Sequence, residues 1–314
     1  MTASGLPLLV ATDLDACLLD EDSYSHEAAD RALARLADAG VPVVVCSSKT
    51  RAEIAPLLEE LGLAGPYVVE NGGAVVLPDH ALADVYGDDA ATVVALGVPA
   101  AVLARVLGEI AAETGVRLTG FSSLSLREVE ELTGLSGERT SRALRREWDE
   151  PFLVDGKGPS EAGVPATEAV AAAAEARGLR VTQGSRFHHL TGQTDKGCAL
   201  RELLGILERA GRRFHVLALG DAPNDVPMLR AADRPIVVPR KAGVDPLVAR
   251  LLPDAERAPA PGPAGWGQAV MAVLDGRVLS KVDGSDVPAP RSRSDHAEGG
   301  TSEFSSDVPK NGAR

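Results

Sequence analysis

The sequence is poor in cysteine, in aromatic residues and in long apolar runs. Its three cysteines, Cys17, Cys46 and Cys198, are too few for a disulfide framework and lack the Cys-x-x-Cys spacing of zinc or thiol redox sites. No apolar run approaches the roughly 20 residues that a transmembrane helix needs, and residues 1–7 carry no basic segment typical of a secretion signal. These absences predict a cytoplasmic protein with reduced thiols.

Basic residues are also in short supply. The chain has 32 Lys and Arg residues against 45 Asp and Glu residues, which gives a formal charge of −13. An acidic surface repels nucleic-acid phosphates and anionic lipids, and no local basic patch is evident. The composition therefore predicts neither a nucleic-acid partner nor a membrane partner, and it leaves the oligomeric state undetermined.

What the first part of the chain does contain is an alternation of short apolar runs with amphipathic helical stretches. Strands are predicted at 8–11, 41–46 and 68–69, with helices at 26–39 and 50–61 between them. This rhythm is typical of a parallel sheet with helices on both faces.

The rhythm changes after the turn at Asn71-Gly72-Gly73 and returns near Lys196. We therefore predict an α/β fold with a Rossmann-like parallel-sheet core, formed by residues 1–84 and 185–275. A smaller α+β domain at 85–184 is inserted into it. Residues 276–314 are rich in Gly, Pro and Ser, and a disordered tail is expected there.

Polar side chains follow the first two predicted strands at the edge where ligands bind to open parallel sheets. Asp13 and Asp15 come directly after the first strand, and residues two apart in extended chain point the same way. Ser47 follows the second strand at the start of a helix, where free amide groups can bind an anion. Each feature alone has a plain structural reading, as an acidic turn or a helix cap.

Two later segments add to this edge. Asp221, Asn224 and Asp225 follow a buried strand and offer the oxygen ligands that magnesium prefers, although an Asx-rich turn would have the same composition. Lys196 begins a helix, where a cation is unfavourable unless an anion offsets it. Four such elements in chain order at one sheet edge are much less expected by chance than any one of them.

In chain order these four segments resemble the four motifs of the haloacid dehalogenase superfamily of phosphotransferases, over about residues 5–275. The resemblance implies that Asp13 is a nucleophile that forms an aspartyl-phosphate and that Asp15 is the general acid and base. It further implies that Ser47 and Lys196 hold the phosphate, and that Mg²⁺ is the cofactor. The metal-binding residues so implied are Asp13, Asp15, Asp221, Asn224 and Asp225.

The sequence departs from this family directly after the second aspartate, where Ala16-Cys17 replaces the usual Gly-Thr. If the position needs a positive φ, Ala16 is strained there. The missing threonine hydroxyl removes a partner that could orient Asp15. We also expect that oxidation of Cys17 inactivates the protein.

Segments 45–51, 69–74, 146–152 and 184–190 resemble the mannosyl-3-phosphoglycerate phosphatase family. This resemblance implies a phosphorylated sugar as substrate, namely mannosyl-3-phosphoglycerate, which is hydrolysed to mannosylglycerate, a compatible solute. It also implies that the inserted domain is a cap that closes over the substrate. The candidate substrate-binding residues are Ser48, Lys49, Asn71, Gly72, Arg146, Glu150, Arg186 and His188. Because His188 and His189 are adjacent on a strand, at most one of them faces the cleft.

Several alternatives bear on this interpretation. The alternative substrate is another small sugar phosphate, such as glucosyl-3-phosphoglycerate or a hexose phosphate. The sequence does not distinguish the mannosyl from the glucosyl compound, because these epimers differ only in the direction of one hydroxyl group. A cysteine phosphatase is poorly supported, since Arg51 lies one residue too close to Cys46 for Cys-x₅-Arg. A serine hydrolase is also poorly supported, because the segment around Ser122 lacks the second glycine of Gly-x-Ser-x-Gly. The non-enzyme alternative is a receiver-type domain, which would stop after accepting one equivalent of phosphate.

Overall fold

A computed structural model describes residues 5–78, 92–158, 163–183 and 187–282 of the chain. Within these residues the strands form one eight-stranded sheet and one four-stranded sheet, with helices packed on both. The larger sheet and its helices are called the core below, and the smaller sheet and its helices are called the cap. No helix in the described ranges is both long enough and apolar enough to cross a membrane.

The strands, in chain order, are β1 (Leu8–Thr12), β2 (Val43–Cys46), β3 (Tyr67–Val69), β4 (Ala74–Leu77), β5 (Thr92–Ala95), β6 (Leu118–Gly120), β7 (Glu150–Val154), β8 (Arg180–Gln183), β9 (His188–Thr191), β10 (His215–Gly220), β11 (Arg234–Val237) and β12 (Glu256–Arg257). The helices are α1 (Asp30–Asp38), α2 (Arg51–Glu60), α3 (Ala100–Thr114), α4 (Leu126–Thr133), α5 (Glu138–Ala143), α6 (Val164–Glu175), α7 (Lys196–Arg209), α8 (Val226–Ala231), α9 (Pro246–Leu251) and α10 (Gly262–Leu274).

The core sheet confirms the predicted α/β fold. Its order is β12-β11-β10-β1-β2-β3-β4-β5, and the first six strands in that order are parallel. Val10 packs into the apolar cluster on one face, while Leu9 and Ala11 pack into the cluster on the other. Burial on both faces explains why β1 and β2 are continuous apolar runs. The carboxyl ends of β1, β2 and β10 consequently meet at one edge.

In the part of the chain that the structure describes, three helices pack on each face of the core sheet. Apolar side chains of α1, α2 and α10 pack on one face, and those of α7, α8 and α9 pack on the other. The cap has its own apolar cluster, in which α3 and α6 cover the antiparallel sheet β6-β7-β9-β8. The cap core is therefore separate from the two clusters of the larger sheet.

The inserted domain was predicted to span residues 85–184, and the strand pairing of the two sheets places both of its boundaries later in the chain. β5 pairs with β4 from Ala74↔Ala95 to Leu77↔Thr92, so residues 92–95, which lie beyond the predicted boundary at 85, belong to the core sheet. β9 pairs with β7 and β8, so residues 188–191, which lie beyond the predicted boundary at 184, belong to the cap sheet. Both differences arise because strand pairing across the sheet, and not local composition, decides which sheet a short strand joins.

The last described residues also belong to the fold. Val282 is buried, and its backbone N–H donates to Ala255 O at 3.0 Å. Residues 276–282, which lie within the predicted tail at 276–314, therefore pack against the core. The remaining residues of that tail, 283–314, lie outside the described part of the chain.

A buried carboxylate, Glu70, fastens the cap to the core. Its Oε2 accepts from the backbone N–H of Trp148 at 2.8 Å, and both its oxygens accept from that of Glu147, at 3.0 and 3.1 Å. Glu70 and Asn71 adopt left-handed φ values of 48° and 57°. Non-glycine residues rarely hold such values unless the surrounding contacts enforce them. The cap attachment therefore depends on a strained and desolvated segment.

Glu70 makes the stability of the protein pH-dependent. Burial raises its pKa from 4.5 to about 7, although Arg146 and the backbone N–H groups act in the opposite direction. The stabilisation is complete below pH 4.5, where both states hold the proton, and it is lost as the pH rises to about 7. Between pH 5 and 8 the free energy of unfolding should change less in Glu70→Gln than in the wild type. We expect the two changes to differ by on the order of 1 to 3 kcal/mol. Denaturant unfolding of both proteins at several pH values measures this, and identical pH profiles would contradict it.

Candidate active site

Three buried carboxylates and one buried lysine meet at the carboxyl edge of the core sheet. Ligand atoms of Asp13, Asp221 and Asp225 lie within 4.8 Å of one another. Lys196 Nζ lies 2.5 Å from Asp13 Oδ1 and 2.6 Å from Asp225 Oδ1. The cluster forms because Asp13 follows β1, Asp221 follows the adjacent β10, and the Asp13 N–H donates to Leu219 O at 3.0 Å.

The lysine is held in its charged form. Burial alone would lower the pKa of Lys196, but the carboxylates of Asp13 and Asp225 raise it above the usual lysine value. The adjacent Asp195 caps helix α7 by accepting from the Cys198 N–H at 2.7 Å. Lys196 thus provides a permanent positive charge beside the carboxylate of Asp13.

One lysine does not compensate three buried carboxylates. Burial raises the pKa of Asp13 from 3.8 to about 7, and burial together with the charge of Asp225 raises the pKa of Asp221 as well. Arg240 Nε donates to Asp221 Oδ2 at 2.6 Å. The other oxygen of that group, Asp221 Oδ1, is buried and has no hydrogen-bond partner among the described residues. This excess of carboxylate, with an unpartnered oxygen, fits a hard divalent cation.

Two of the predicted metal residues, Asn224 and Asp225, follow Asp221 in the same loop but differ in their contacts. Asp225 Oδ1 accepts from Lys196, and its Oδ2 accepts from the N–H groups of Asp221 and Ala222 at 3.0 and 2.9 Å. Its carboxylate is therefore already used to orient the lysine and the loop. Asn224 Nδ2 donates to Asn71 Oδ1 at 3.1 Å, while its own Oδ1 is buried without a partner in the described ranges.

Asp15 occupies the open side of this cluster. Its Oδ1 lies 2.8 Å from Lys49 Nζ, and the Lys49 ammonium lies 5.3 Å from the centre of the Tyr24 ring. Burial alone would lower the pKa of Lys49, but Asp15 and Glu53 raise it above the usual lysine value. Lys49 therefore fixes the Asp15 carboxylate at the mouth of the site as a charged partner.

Ser47 and Gly72 lie in tightly packed backbone next to the cluster. Ser47 is fully buried at the end of β2, and its Oγ accepts from the Lys49 N–H at 3.1 Å. Gly72 has a φ of 94°, and a Cβ there would lie 2.2 Å from Asp195 O. Gly72 therefore lets two loops approach closely, which corrects its prediction as a substrate-binding residue, because it is not among the residues that line the cavity described below.

The replacement of Gly-Thr by Ala16-Cys17 has a measurable backbone consequence. Ala16 has a φ of 59°, so this position does take the positive φ at which an alanine is strained. The left-handed region disfavours a residue with a Cβ by about 1 to 2 kcal/mol. The chain accepts this strain beside the two catalytic-motif aspartates.

Ala16→Gly should therefore stabilise the protein by up to about 1 kcal/mol, because glycine relieves the left-handed strain and loses only part of the gain to chain entropy. Denaturant unfolding measures the change. Ala34→Gly on the exposed face of helix α1 is a matched control, and there we expect a loss of about 1 kcal/mol. A loss of stability in Ala16→Gly as well would show that the position is not strained.

The expectation that oxidation of Cys17 inactivates the protein is not supported by its surroundings. The thiol is fully buried, and burial raises its pKa well above the usual value, so it is not a thiolate. Oxidants react with the exposed thiolate form. Its Sγ lies 3.8 Å from Thr12 Oγ1, which in turn accepts from Trp266 Nε1 at 2.9 Å. Cys17 therefore fills the core below the site.

One cavity of about 280 Å³ joins the acidic cluster to the cap. On the core side its lining includes Asp13, Asp15, Ser48, Lys49, Asp221 and Arg240. On the cap side it includes Phe121, Arg146, Pro151, Phe187 and His189. The Phe121 and Phe187 rings meet edge to face with centroids 4.7 Å apart. The cavity therefore pairs a charged end on the core with a partly aromatic end under the cap.

Two of the predicted cap contacts do not reach this cavity. Glu150 accepts from Ser122 N–H and Oγ at 2.9 and 2.7 Å, and the His188 ring stacks on Phe152 at 5.4 Å inside the cap. Strand alternation explains both corrections, since Glu150 and Phe152 share the face of β7 that is turned away from Pro151. Arg186 lies outside the described residues.

Two further predicted substrate contacts, Arg146 of the cap and Asn71 of the core, differ in how they relate to the cavity. Arg146 lines the cavity and also donates to Ser48 O at 2.6 Å and to Ala143 O at 3.0 Å. Asn71 Nδ2 donates to Asp149 Oδ2 at 3.0 Å, so it links core and cap beside the cavity. Arg146 therefore both lines the cavity and ties the cap to the core.

Sequence reasoning missed two polar residues at the site, Arg240 and Asp149, and it chose His188 where His189 lines the cavity. Arg240 follows β11 at the same sheet edge, so the strand-end rule that found Asp13 could have found it as well. Asp149 and His189 are brought together only by the pairing of β7 with β9, and no local signal marks them.

Comparison with known proteins agrees with this geometry. A family model described as haloacid dehalogenase-like hydrolase matches residues 10–91. A glucosyl-3-phosphoglycerate/mannosyl-3-phosphoglycerate phosphatase of Methanococcoides burtonii is 37% identical over 271 residues, which cover 85% of this chain and 97% of the relative. A protein of the same description from Persephonella marina is 31% identical over 275 residues, with the same two coverages of 85% and 97%.

Solved structures show the same fold at lower identity. A Thermoplasma acidophilum protein has a TM-score of 0.60 at 20% identity, covering 86% of this chain and 99% of its own. A sugar phosphatase of haloacid dehalogenase subclass IIB has a TM-score of 0.59 at 14% identity, with coverages of 85% and 98%. The chain therefore belongs to the haloacid dehalogenase-like hydrolases and is, like its curated relatives, a phosphoric monoester hydrolase.

Proposed function

We propose that this chain is a Mg²⁺-dependent phosphatase that hydrolyses mannosyl-3-phosphoglycerate to mannosylglycerate and phosphate. The observation that carries the proposal is the single cavity in which Asp13 and Asp15 face a cap that supplies Arg146 and two phenylalanine rings. The names of the two curated relatives, which include both the mannosyl and the glucosyl substrate, support this choice. Glucosyl-3-phosphoglycerate and hexose phosphates are the alternative substrates.

In the first step Asp13 attacks the phosphorus atom and forms an aspartyl-phosphate, while the bond to the glycerate oxygen breaks. Asp15 gives a proton to that leaving oxygen and then takes one from the water that hydrolyses the intermediate. Lys49 holds Asp15 in position at 2.8 Å. Two successive displacements at the same phosphorus atom, first by Asp13 and then by water, thus replace one difficult hydrolysis.

Residues of the core supply the charged and polar groups at the phosphate end of the site. Lys196 lies 2.5 Å from Asp13 Oδ1 and so can neutralise an oxygen of the phosphoryl group as Asp13 attacks. Ser47, buried at the end of β2, keeps its Oγ next to the amide groups at the start of the following loop. Asp225 keeps the lysine in place through its 2.6 Å contact.

A magnesium ion fits the residues of this edge. Asp13, Asp221 and the Asp15 carbonyl would hold it, and Asp221 Oδ1 and Asn224 Oδ1 are buried oxygens that have no hydrogen-bond partner in the described ranges. When bound, the ion supplies positive charge that keeps Asp13 ionised and offsets the phosphate. Without it, burial leaves the pKa of Asp13 at about 7, which disfavours the nucleophilic form.

We further infer that the cap selects the substrate and excludes water from the cavity. Arg146 is suited to the glycerate carboxylate because a guanidinium can bind both carboxylate oxygens. Lys49, at the boundary of core and cap, provides a second cation for the same group. The two phenylalanine rings offer apolar surface for the sugar.

A phosphate-release panel tests the proposal. It compares mannosyl-3-phosphoglycerate, glucosyl-3-phosphoglycerate, hexose phosphates and disaccharide phosphates, each with magnesium and after chelation. We expect the highest kcat/KM for mannosyl-3-phosphoglycerate and a loss of turnover on chelation that added Mg²⁺ reverses. A clear preference for simple hexose phosphates would contradict the substrate, and full activity after chelation would contradict the metal.

The same assay tests the receiver-type alternative. A receiver domain releases no more than one equivalent of phosphate per chain, whereas an enzyme releases many. A single-equivalent burst without further turnover, for every substrate of the panel, would overturn the proposal as a whole.

A further inference from the structure

A fully buried carboxylate, Asp149, gathers side chains from both domains beside the cavity. Its Oδ2 lies 2.7 Å from His189 Nδ1, accepts from Asn71 Nδ2 at 3.0 Å and lies 3.7 Å from the guanidinium of Arg146. Burying a charge in this way is unfavourable unless it is paired and hydrogen-bonded. Two of its three partners, Arg146 and His189, line the cavity, so the carboxylate orients side chains that can contact a ligand.

The strand register of the cap decides that His189, and not His188, faces this cavity. Pro151 pairs with His189 and Phe152 pairs with His188 across β7 and β9. Paired residues share a face of the sheet. Pro151 and His189 line the cavity, while His188 stacks on Phe152 inside the cap, where burial lowers its pKa to about 4.

The contact with Asp149 also determines which ring nitrogen is presented. Because Nδ1 of His189 is engaged by the carboxylate, Nε2 is the nitrogen that remains for a ligand. The neighbouring cavity residues are of two kinds. Arg146 and Lys49 are cations suited to a carboxylate, whereas Phe121 and Phe187 are apolar. A sugar has hydroxyl groups that need hydrogen-bond partners next to such apolar surface.

We propose that His189 Nε2 binds a hydroxyl of the sugar and that Asp149 is its positioning residue. The proposal rests on the proposed function, because it assigns the sugar end of a glycosyl-3-phosphoglycerate to this histidine. Asp13 lines the opposite, core end of the same cavity, and Lys196 lies 2.5 Å behind it, so the proposed function places the phosphate at that end. His189 therefore acts in specificity and not in phosphoryl transfer.

The test uses His189→Gln and Asp149→Asn in the full-length chain. The measured quantity is the ratio of kcat/KM for mannosyl-3-phosphoglycerate to kcat/KM for p-nitrophenyl phosphate, which has neither sugar nor glycerate. We expect this ratio to fall 10- to 100-fold in His189→Gln and 3- to 10-fold in Asp149→Asn. The ratio does not depend on the fraction of folded enzyme, so a destabilised variant still tests the proposal.

A matched control is His26→Gln, because His26 Nδ1 pairs with Asp30 Oδ1 at 2.6 Å on the surface, outside the cavity. Its ratio should equal that of the wild type. A ratio within threefold of the wild type in His189→Gln would overturn the proposal.

3-Phosphoglycerate, followed as substrate or competitive inhibitor, separates the sugar from the carboxylate. We expect its binding to be unchanged in His189→Gln, and an equal loss there would place the histidine on the carboxylate and overturn the sugar assignment. Failure of the proposed function is recognised separately, because the wild type would then show no preference for glycosyl-3-phosphoglycerates before any variant is made.

Discussion

Asp13→Asn should reduce phosphate release to background, a loss of roughly 10⁴-fold or more, because an amide cannot act as the nucleophile. The fold should persist. Burial already raises the pKa of Asp13 to about 7, so a neutral side chain of the same shape removes a desolvated charge. Steady-state phosphate release and thermal unfolding, measured on the same preparations, check both statements.

Acid-quenched labelling makes this result specific. Wild-type protein mixed with ³²P-labelled substrate and quenched in acid should retain label as an aspartyl-phosphate, and Asp13→Asn should retain none. Asp38→Asn, at the exposed end of helix α1, is the matched control and should behave as the wild type. Turnover by Asp13→Asn above about 1% of the wild-type rate would place the nucleophile elsewhere.

Lys196→Met should be the most destabilising of the substitutions considered. It leaves Asp13 and Asp225 buried without their shared cation, which we expect to lower the free energy of unfolding by about 3 to 5 kcal/mol in the metal-free protein. Activity should fall by roughly 10²- to 10³-fold or more, since the phosphate loses a preorganised positive charge. Denaturant unfolding and phosphate-release kinetics measure the two effects.

Two comparisons distinguish charge compensation from a packing effect. Added Mg²⁺ should restore part of the stability of Lys196→Met, because a divalent cation replaces the missing charge among the carboxylates. Lys281→Met, which removes an exposed lysine 3.4 Å from Asp254, should change stability by no more than about 0.5 kcal/mol. If Lys196→Met is as stable as the wild type without metal, the buried cluster is not held by this ion pair.

The acidic end of the site was predictable because its information is local. Asp13 and Asp221 each follow a continuous apolar run, and such runs in an alternating pattern predict parallel strands whose carboxyl ends meet. Lys196 was recognisable because a cation at a helix start implies a nearby anion. The positive φ of Ala16 could be anticipated because glycine is the residue favoured at such positions.

The cap contacts were not predictable in the same way. A shift of one residue in strand pairing moves every side chain to the other face. Glu150 and His188 were therefore placed on the cavity by sequence, although the register of β7 and β9 turns both away from it. Asp149 contacts His189, which lies 40 positions away in the sequence, so its role cannot be inferred until that register is known.

The sequence by itself determined the α/β core, the order of its catalytic-motif segments and the resemblance to phosphate-transferring hydrolases, since these follow from local patterns of apolar runs and polar strand ends. Only the tertiary structure decided where the cap begins and ends and which histidine faces the cavity. It also decided the ion pairs of the cluster, in which Asp225 contacts Lys196 and Arg240 contacts Asp221. The physical reason is that pairing register and charge compensation are properties of residues distant in sequence, and they exist only once the strands have met.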